Sequence, residues 1–136
     1  MDVQALIAKQ KQTLDTVKPV DQEVLFAGEV VTVRFWPLAG PAWRDLCAKH
    51  PNRDESQFDQ ALGYNLTAVV ADYPRVFLVD GDDVQDVAAE WADICAVLSG
   101  PDLKNLEYAV WGINEYEPTQ ALAGKVSAGA RRKKQR

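Results

Sequence analysis

Apolar residues in the second half of the chain recur at helical steps. Val84, Val87, Ala88, Trp91, Ile94, Cys95 and Leu98 are separated by threes and fours, as are Leu103, Leu106, Val110 and Ile113, the one-sided spacing of amphipathic helices. Ser99-Gly100-Pro101-Asp102 lies between the two runs. Gly stops a helix, Pro101 suits a first helical position, and Ser99 to Asp102 has capping-box spacing. The pattern therefore predicts two antiparallel helices between Asp82 and Pro118.

Upstream, Asp2 followed by Val3, Leu6, Ile7, Leu14 and Val17 predicts an N-capped amphipathic helix that Pro19 ends. Glu23 to Trp36 is rich in β-branched and aromatic residues around Gly28, which predicts a β-hairpin. Two strands alone are marginal in water, so this hairpin must pack on the helices or pair with another copy. Pro41 opens and Pro51 closes a short helix in which Trp43, Leu46 and Cys47 share a face. Phe58, Ala61 and Leu62 make a helical turn broken at Gly63, and Leu66 to Ala71 resumes helix. Val76 to Val79 is a short apolar run that fits either strand or helix, followed by a turn at Asp80-Gly81.

The expected fold class is mainly α with a small N-terminal β-hairpin (α+β), a compact helical domain with an antiparallel helix pair. Residues 1–18 form the N-terminal helix, 19–118 a single globular domain with the hairpin at 23–36, and 119–136 a helical or disordered basic tail. A length of 136 residues supports one core. Hydrophobic residues at 47% and charged residues at 26% are ordinary for globular chains. Charge is segregated: residues 19–124 carry eighteen acidic against six basic side chains, whereas residues 125–136 carry six basic and no acidic ones. An acidic body repels nucleic acid, and the basic end has no aromatic residue to stack a base. No run approaches the ~20 apolar residues of a membrane span, and the start shows no secretory pattern, so the expected location is cytoplasmic.

The chemistry-bearing residues read as structural. Cys47 and His50 form a C-x-x-H unit, but a structural zinc site needs four ligands and Cys95 is the only other thiol. Cys47 and His50 lie on one helix turn, an arrangement that rarely gives an aligned nucleophile and base with a third, orienting group. Asp80-Gly81-Asp82-Asp83 misses the calcium-loop spacing, so Asp82 is assigned to cap the next helix. Glu90/Asp93 and Glu115/Glu117 are assigned to solvated faces, and the isolated glycines to turns or helix ends. The expectation is no catalytic, cofactor-binding or metal residues. Trp43, Trp91 and Trp111 fall on apolar helical faces and are expected in the core. Phe35 and Trp36 alternate across the end of a strand, so one of them is expected to face outward. Phe35, Trp36, Tyr108 and Trp111 are the candidate partner-binding anchors, because aromatics dominate interface hot spots.

Trp43-x-x-Leu46-Cys47-x-x-His50-Pro51, Gly63-Tyr64-Asn65, Trp91 through Leu98, and Trp111-Gly112-Ile113-Asn114-Glu115 together resemble the tail assembly chaperones of long-tailed (siphovirus-like) bacteriophages of the actinobacteriophage type, over roughly Val30 to Pro118. The resemblance implies a non-enzymatic protein of the host cytoplasm, absent from the mature virion. Its partners would be the tape measure protein, which it keeps soluble, and the major tail tube protein, reached through a longer frameshifted form. The resemblance also implies self-association. The purine-rich codons that Arg131 to Lys134 permit fit such a frameshift. A structural head-tail or tail completion protein, and a small regulatory protein binding nucleic acid through its basic tail, are the rival classes.

Overall fold

The structure is a computed structural model that describes the backbone of residues 1–134 and side chains as far as residue 130. It is an α+β fold in the order α1 (Val3–Asp15), β1 (Val20–Phe26), β2 (Glu29–Phe35), α2 (Gly40–Lys49), α3 (Gln57–Leu62), α4 (Leu66–Ala71), β3 (Val76–Asp80), β4 (Asp83–Asp86), α5 (Trp91–Cys95), α6 (Gly100–Trp111) and α7 (Glu117–Lys134). A π-helical segment, Gly112–Tyr116, joins α6 to α7.

The sheet is antiparallel with strand order β1-β2-β3-β4. Ala27 and Gly28 both have positive φ (54° and 79°), the geometry that matches a two-residue turn to strand twist. Val33 faces Leu78 and Phe35 faces Val76 in the β2–β3 register, so helices α2, α3 and α4 occupy the connection between two neighbouring strands.

Two expectations need correction here. The hairpin is half of a four-stranded sheet, because Val76–Asp80 is a strand that turns at Gly81 and pairs again with Asp83–Asp86. Consequently the first arm of the expected helix pair does not begin at Asp82. Asp82 sits in a β-turn and caps no helix, and helix is confined to Trp91–Cys95. The periodicity of Val84, Val87 and Trp91 arose from a strand, a turn and a helix in succession. Pairing with β3 gives the backbone groups of β4 partners that no local signal announces, and Val87 N–H continues the ladder to the Val76 carbonyl at 3.2 Å. The tail, expected to be helical or disordered, is helical as far as Lys134, and 135–136 lie outside the described residues.

The core lies between one sheet face and the helices. Val33, Phe35 and Val76 from the sheet meet Val69 and Val70 of α4, Tyr73, Trp91 of α5, and Leu106 and Val110 of α6, each almost without exposure. The Phe35 ring stands edge-on to Tyr73 at 5.4 Å and to Trp91 at 5.6 Å, an arrangement aromatic quadrupoles favour. Trp91 Nε1 donates to the Val70 carbonyl at 2.7 Å, leaving no orphaned donor. Asp2 and Ser99 cap helices as expected, and Ser56 and Asn65 do so as well; each accepts from a backbone N–H in the first turn. Asp102 does more, accepting from Leu25 N–H of the edge strand β1 at 3.1 Å.

Candidate partner-binding surface

The four candidate anchors separate into three places. Phe35 is fully buried and never reaches the surface, which removes it as an interface residue; the inward face of β2 claims it. Trp36, one position on, is half-buried. The Arg75 guanidinium lies over its ring at 5.7 Å, and together with Leu14, Asp15, Leu38 and Asn114 it borders a cavity of about 420 Å³. Tyr108 and Trp111 alone share a surface. Tyr108 is 57% exposed, and Trp111 is half-buried with its ring tilted against Tyr116 at 5.9 Å.

The surface that Tyr108 and Trp111 share is built by α3 and α6. The six-residue α3, started by Ser56 and stopped by Gly63 in the left-handed conformation, holds Phe58 and Leu62 opposite α6. With Leu66 they enclose a hollow of about 240 Å³ walled only by apolar and aromatic side chains. Phe58 remains 55% exposed. The hollow continues along α6 past Leu103, Lys104 and Glu107, then between Leu103 and the Ala92, Cys95 and Ala96 face of α5. Leu103 to Trp111 covers about 12 Å of helix. One polar pair crosses the trough, Thr67 Oγ1 donating to Glu107 at 2.8 Å. The hollow at Phe58, Leu62, Leu66, Tyr108 and Trp111 is apolar, whereas its continuation along α6 sets Leu103 among Arg53, Thr67, Lys104 and Glu107. An open apolar hollow with a polar rim is a surface able to receive another apolar element.

Beside it, Arg53 and Asp59 pin the loop that presents α3. Asp59 is fully buried and accepts from Arg53 Nε, Nη2 and backbone N–H, at 2.9, 3.0 and 2.9 Å. These bonds hold its carboxyl well below the usual carboxylate range.

The π-helical segment turns two polar side chains inward. Asn114 accepts from Leu38 N–H at 3.0 Å and donates to Tyr73 Oη at 2.9 Å and to the Val110 carbonyl at 3.0 Å. Tyr73 in turn donates to the Trp36 carbonyl at 2.7 Å, and burial pushes its phenol up to about 12. Glu115, expected on a solvated face, instead accepts from Trp43 Nε1 at 2.6 Å. Gly112, expected at a turn or helix end, is the C-cap of α6, where the chain passes without a break into the π-helical segment and then α7. The widened turn accommodates the N–H that Pro118 lacks.

In the C-x-x-H unit His50 has a carboxylate partner, Asp72, but among the described residues no hydrogen bond joins the imidazole to the Cys47 thiol. Burial first, and the Glu115 charge second, raise the Cys47 thiol to about 11, so it stays protonated at neutral pH. His50 Nε2 lies 2.9 Å from Asp72, which Lys49 also approaches at 3.0 Å. These contacts, the one with His50 foremost, lower the Asp72 carboxyl. Burial likewise raises Cys95 to about 11. Among the described residues no group of three or more His, Cys, Asp or Glu is placed to hold a metal ion, and no helix is long and apolar enough to cross a membrane.

Sequence reasoning missed Phe58 and Leu62 as surface residues, since their spacing signals an apolar face without saying what covers it. It also missed Asp59, Asn114 and Glu115, whose partners lie 6, 76 and 72 positions away. Comparison with protein-family models, curated proteins and solved structures finds no match.

Proposed function

We propose that this chain is a tail assembly chaperone of a long-tailed bacteriophage. It binds apolar helical segments of the tape measure protein and keeps that long chain soluble while tube subunits assemble around it. The observation that carries the reading is the open trough along α6, lined by Phe58, Leu62, Leu66, Tyr108 and Trp111. Such a groove receives the apolar stripe of an amphipathic helix, and a tape measure protein offers many such stripes in series. The resemblance at Trp43 to Pro51, Tyr64 and Trp111 to Glu115 supports the same reading. The acidic body, with eighteen acidic against six basic residues over 19–124, keeps a chaperone–client complex soluble by repulsion between complexes. The major tail tube protein is recruited through a longer, frameshifted form continuing from the basic end of α7.

Co-expression with the tape measure protein tests this directly. Soluble yield of the client should rise severalfold, the two proteins should co-purify, and Phe58→Glu with Tyr108→Glu should abolish both effects. An unchanged client yield, or a yield raised equally by the double variant, would overturn the assignment of the trough.

A further inference from the structure

The sheet has two faces, and the helices of the core cover one. Val33, Phe35 and Val76 point into the core, so the residues alternating with them point away from it. On that outer face the register sets Leu25 beside Val30, Thr32 beside Val79 and Val79 beside Val84, with Phe77 next along β3. Leu25, Val30 and Val84 are 60%, 70% and 47% exposed, and Phe77 and Val79 are half-buried. Helix α1 is uncovered as well. Residues 1–16 are all exposed, and Val3, Leu6, Ile7 and Leu14 lie along one side of the helix. A thirteen-residue helix in this state is marginal in water. An apolar stripe and an apolar sheet face are both stabilised by packing on another element.

Three features match these two to each other. The first is where α1 ends. Trp36 N–H donates to the Arg75 carbonyl at 3.1 Å, which extends the β2–β3 pairing by one residue and puts both side chains on the outer face, the Arg75 guanidinium over the Trp36 ring. Leu14 and Val17 border the same cavity as these two residues, so α1 stops at one end of the face. The second is a joint. Residues 16–19 lie between α1 and β1 and close with Pro19; four residues reach up to about 13 Å, enough to pass onto a helix about 10 Å across. Helix α7 is also exposed but continues α6 through the π-helical segment without such a joint. The third is length: thirteen helical residues cover about 20 Å, and the seven-residue strands β1 and β2 about 23 Å.

We propose that α1 is a hinged cover for its own sheet. Turning at residues 16–19, it lies antiparallel to β1 on the outer face, with Leu14 over Phe77 and Leu6 and Ile7 over Val30 and Val79. The short tether holds the stripe at an effective concentration of millimolar order, an advantage no separate partner has. Closed, the cover withdraws the sheet face from apolar partners and leaves the α3–α6 trough open. Opened, it frees both surfaces.

Hydrogen exchange and cross-linking of the full chain test the cover. Backbone amides of residues 6–14 should exchange about tenfold or more slowly in wild type than in Val30→Lys with Val84→Lys, and their protection should not depend on protein concentration. Both substituted positions are open to water, so an unchanged denaturation midpoint will show that the variant is folded. Cross-linking needs no such variant. In dilute, mildly oxidising solution Ile7→Cys with Val30→Cys should close a disulfide within one chain, whereas Ile7→Cys with Tyr108→Cys, which spans to the trough, should not; the single-cysteine variants control for Cys47 and Cys95. Amides that exchange equally fast in wild type and folded variant would overturn the proposal. So would protection that grows with concentration, which would assign the contact to a second copy, or a trough pair that closes as readily as the sheet pair.

Discussion

Trp91 and Trp111 are the same residue on successive apolar stripes, and the fold treats them oppositely. Trp91 has the sheet on one side and α4 on the other; it is fully buried and its indole N–H is bonded to Val70. Trp111 faces α3, a helix of only six residues, and stays half-buried at the floor of an open hollow. The lesson is that periodicity identifies an apolar face, while only the length and placement of the opposing element decide whether that face becomes core or docking surface. On the buried side, among the described residues, one buried side-chain polar atom has no hydrogen-bond partner, the Tyr64 hydroxyl. The α6 side is open, with Phe58 and Tyr108 more than half exposed.

The contrast is broken most forcefully at Trp91. Trp91→Ala removes the ring that Phe35 packs against and strips a donor from the Val70 carbonyl. It should cost about 3–5 kcal/mol, a large share of the 5–15 kcal/mol typical of a domain. Chemical denaturation will show a midpoint lowered in proportion, or a chain already unfolded in buffer. A loss no larger than that of an exposed substitution would show that the sheet and helices do not meet as described.

Next in size is Asn114→Leu. It keeps the volume but leaves Leu38 N–H without an acceptor and removes both amide donors, for about 1–3 kcal/mol. Trp36 and Leu38 belong to the loop these bonds hold, so amide hydrogen exchange should accelerate there before it does in the sheet. If exchange is unaltered, the π-helical segment is not what anchors that loop.

Much of this architecture was legible from local signals. Asp2 and Ser99 announce helix starts, Gly63 a stop, and Gly28 a hairpin, because caps and turns are settled within a few residues. Ser56 and Asn65 cap helices too, unannounced in stretches that read as a charged loop and a break. Strand β4 was not legible, since Asp83–Asp86 is wholly exposed and owes its conformation to pairing with a strand whose own type was ambiguous. Glu115 was misplaced for a related reason: a π-helical turn rotates it toward Trp43, and nothing in Gly112-Ile113-Asn114-Glu115 marks that extra residue per turn. Of the candidate anchors, Tyr108 and Trp111 do share a surface, but Phe58 and Leu62 opposite them carry only the signal of a helical turn. Phe35 and Trp36 do point to opposite sides of their strand, and period-2 alternation could say that one faces outward but not which: Phe35 is buried and Trp36 half-buried.

The Arg53–Asp59 pair tests whether the open side is as rigid as the closed one. Asp59→Asn should destabilise less than Asn114→Leu, because the Arg53 side chain is 53% exposed and water can take over its bonds. The effect carries a pH signature. The Asp59 carboxyl titrates below its unfolded value, so its contribution is fully present above about pH 4 and fades as pH falls through the lowered folded value. Denaturation midpoints of wild type and variant should therefore differ at pH 7 and converge toward pH 2. A gap that persists in acid would mean that shape, rather than charge, holds the loop.

The smallest stability effect belongs to the trough. Phe58→Ala and Tyr108→Ala remove large side chains, yet each is already more than half in water. Only the buried remainder is lost, and the midpoint should move by no more than about 1 kcal/mol. Binding behaves differently, because a docking partner would bury the exposed part as well, and aromatic anchors are where such energy concentrates. A pair of substitutions that leaves the fold nearly untouched while abolishing client solubilisation separates a docking surface from a core. If instead these variants unfold the chain as Trp91→Ala does, the two sides of the molecule are one core, and the distinction drawn from the two tryptophans disappears.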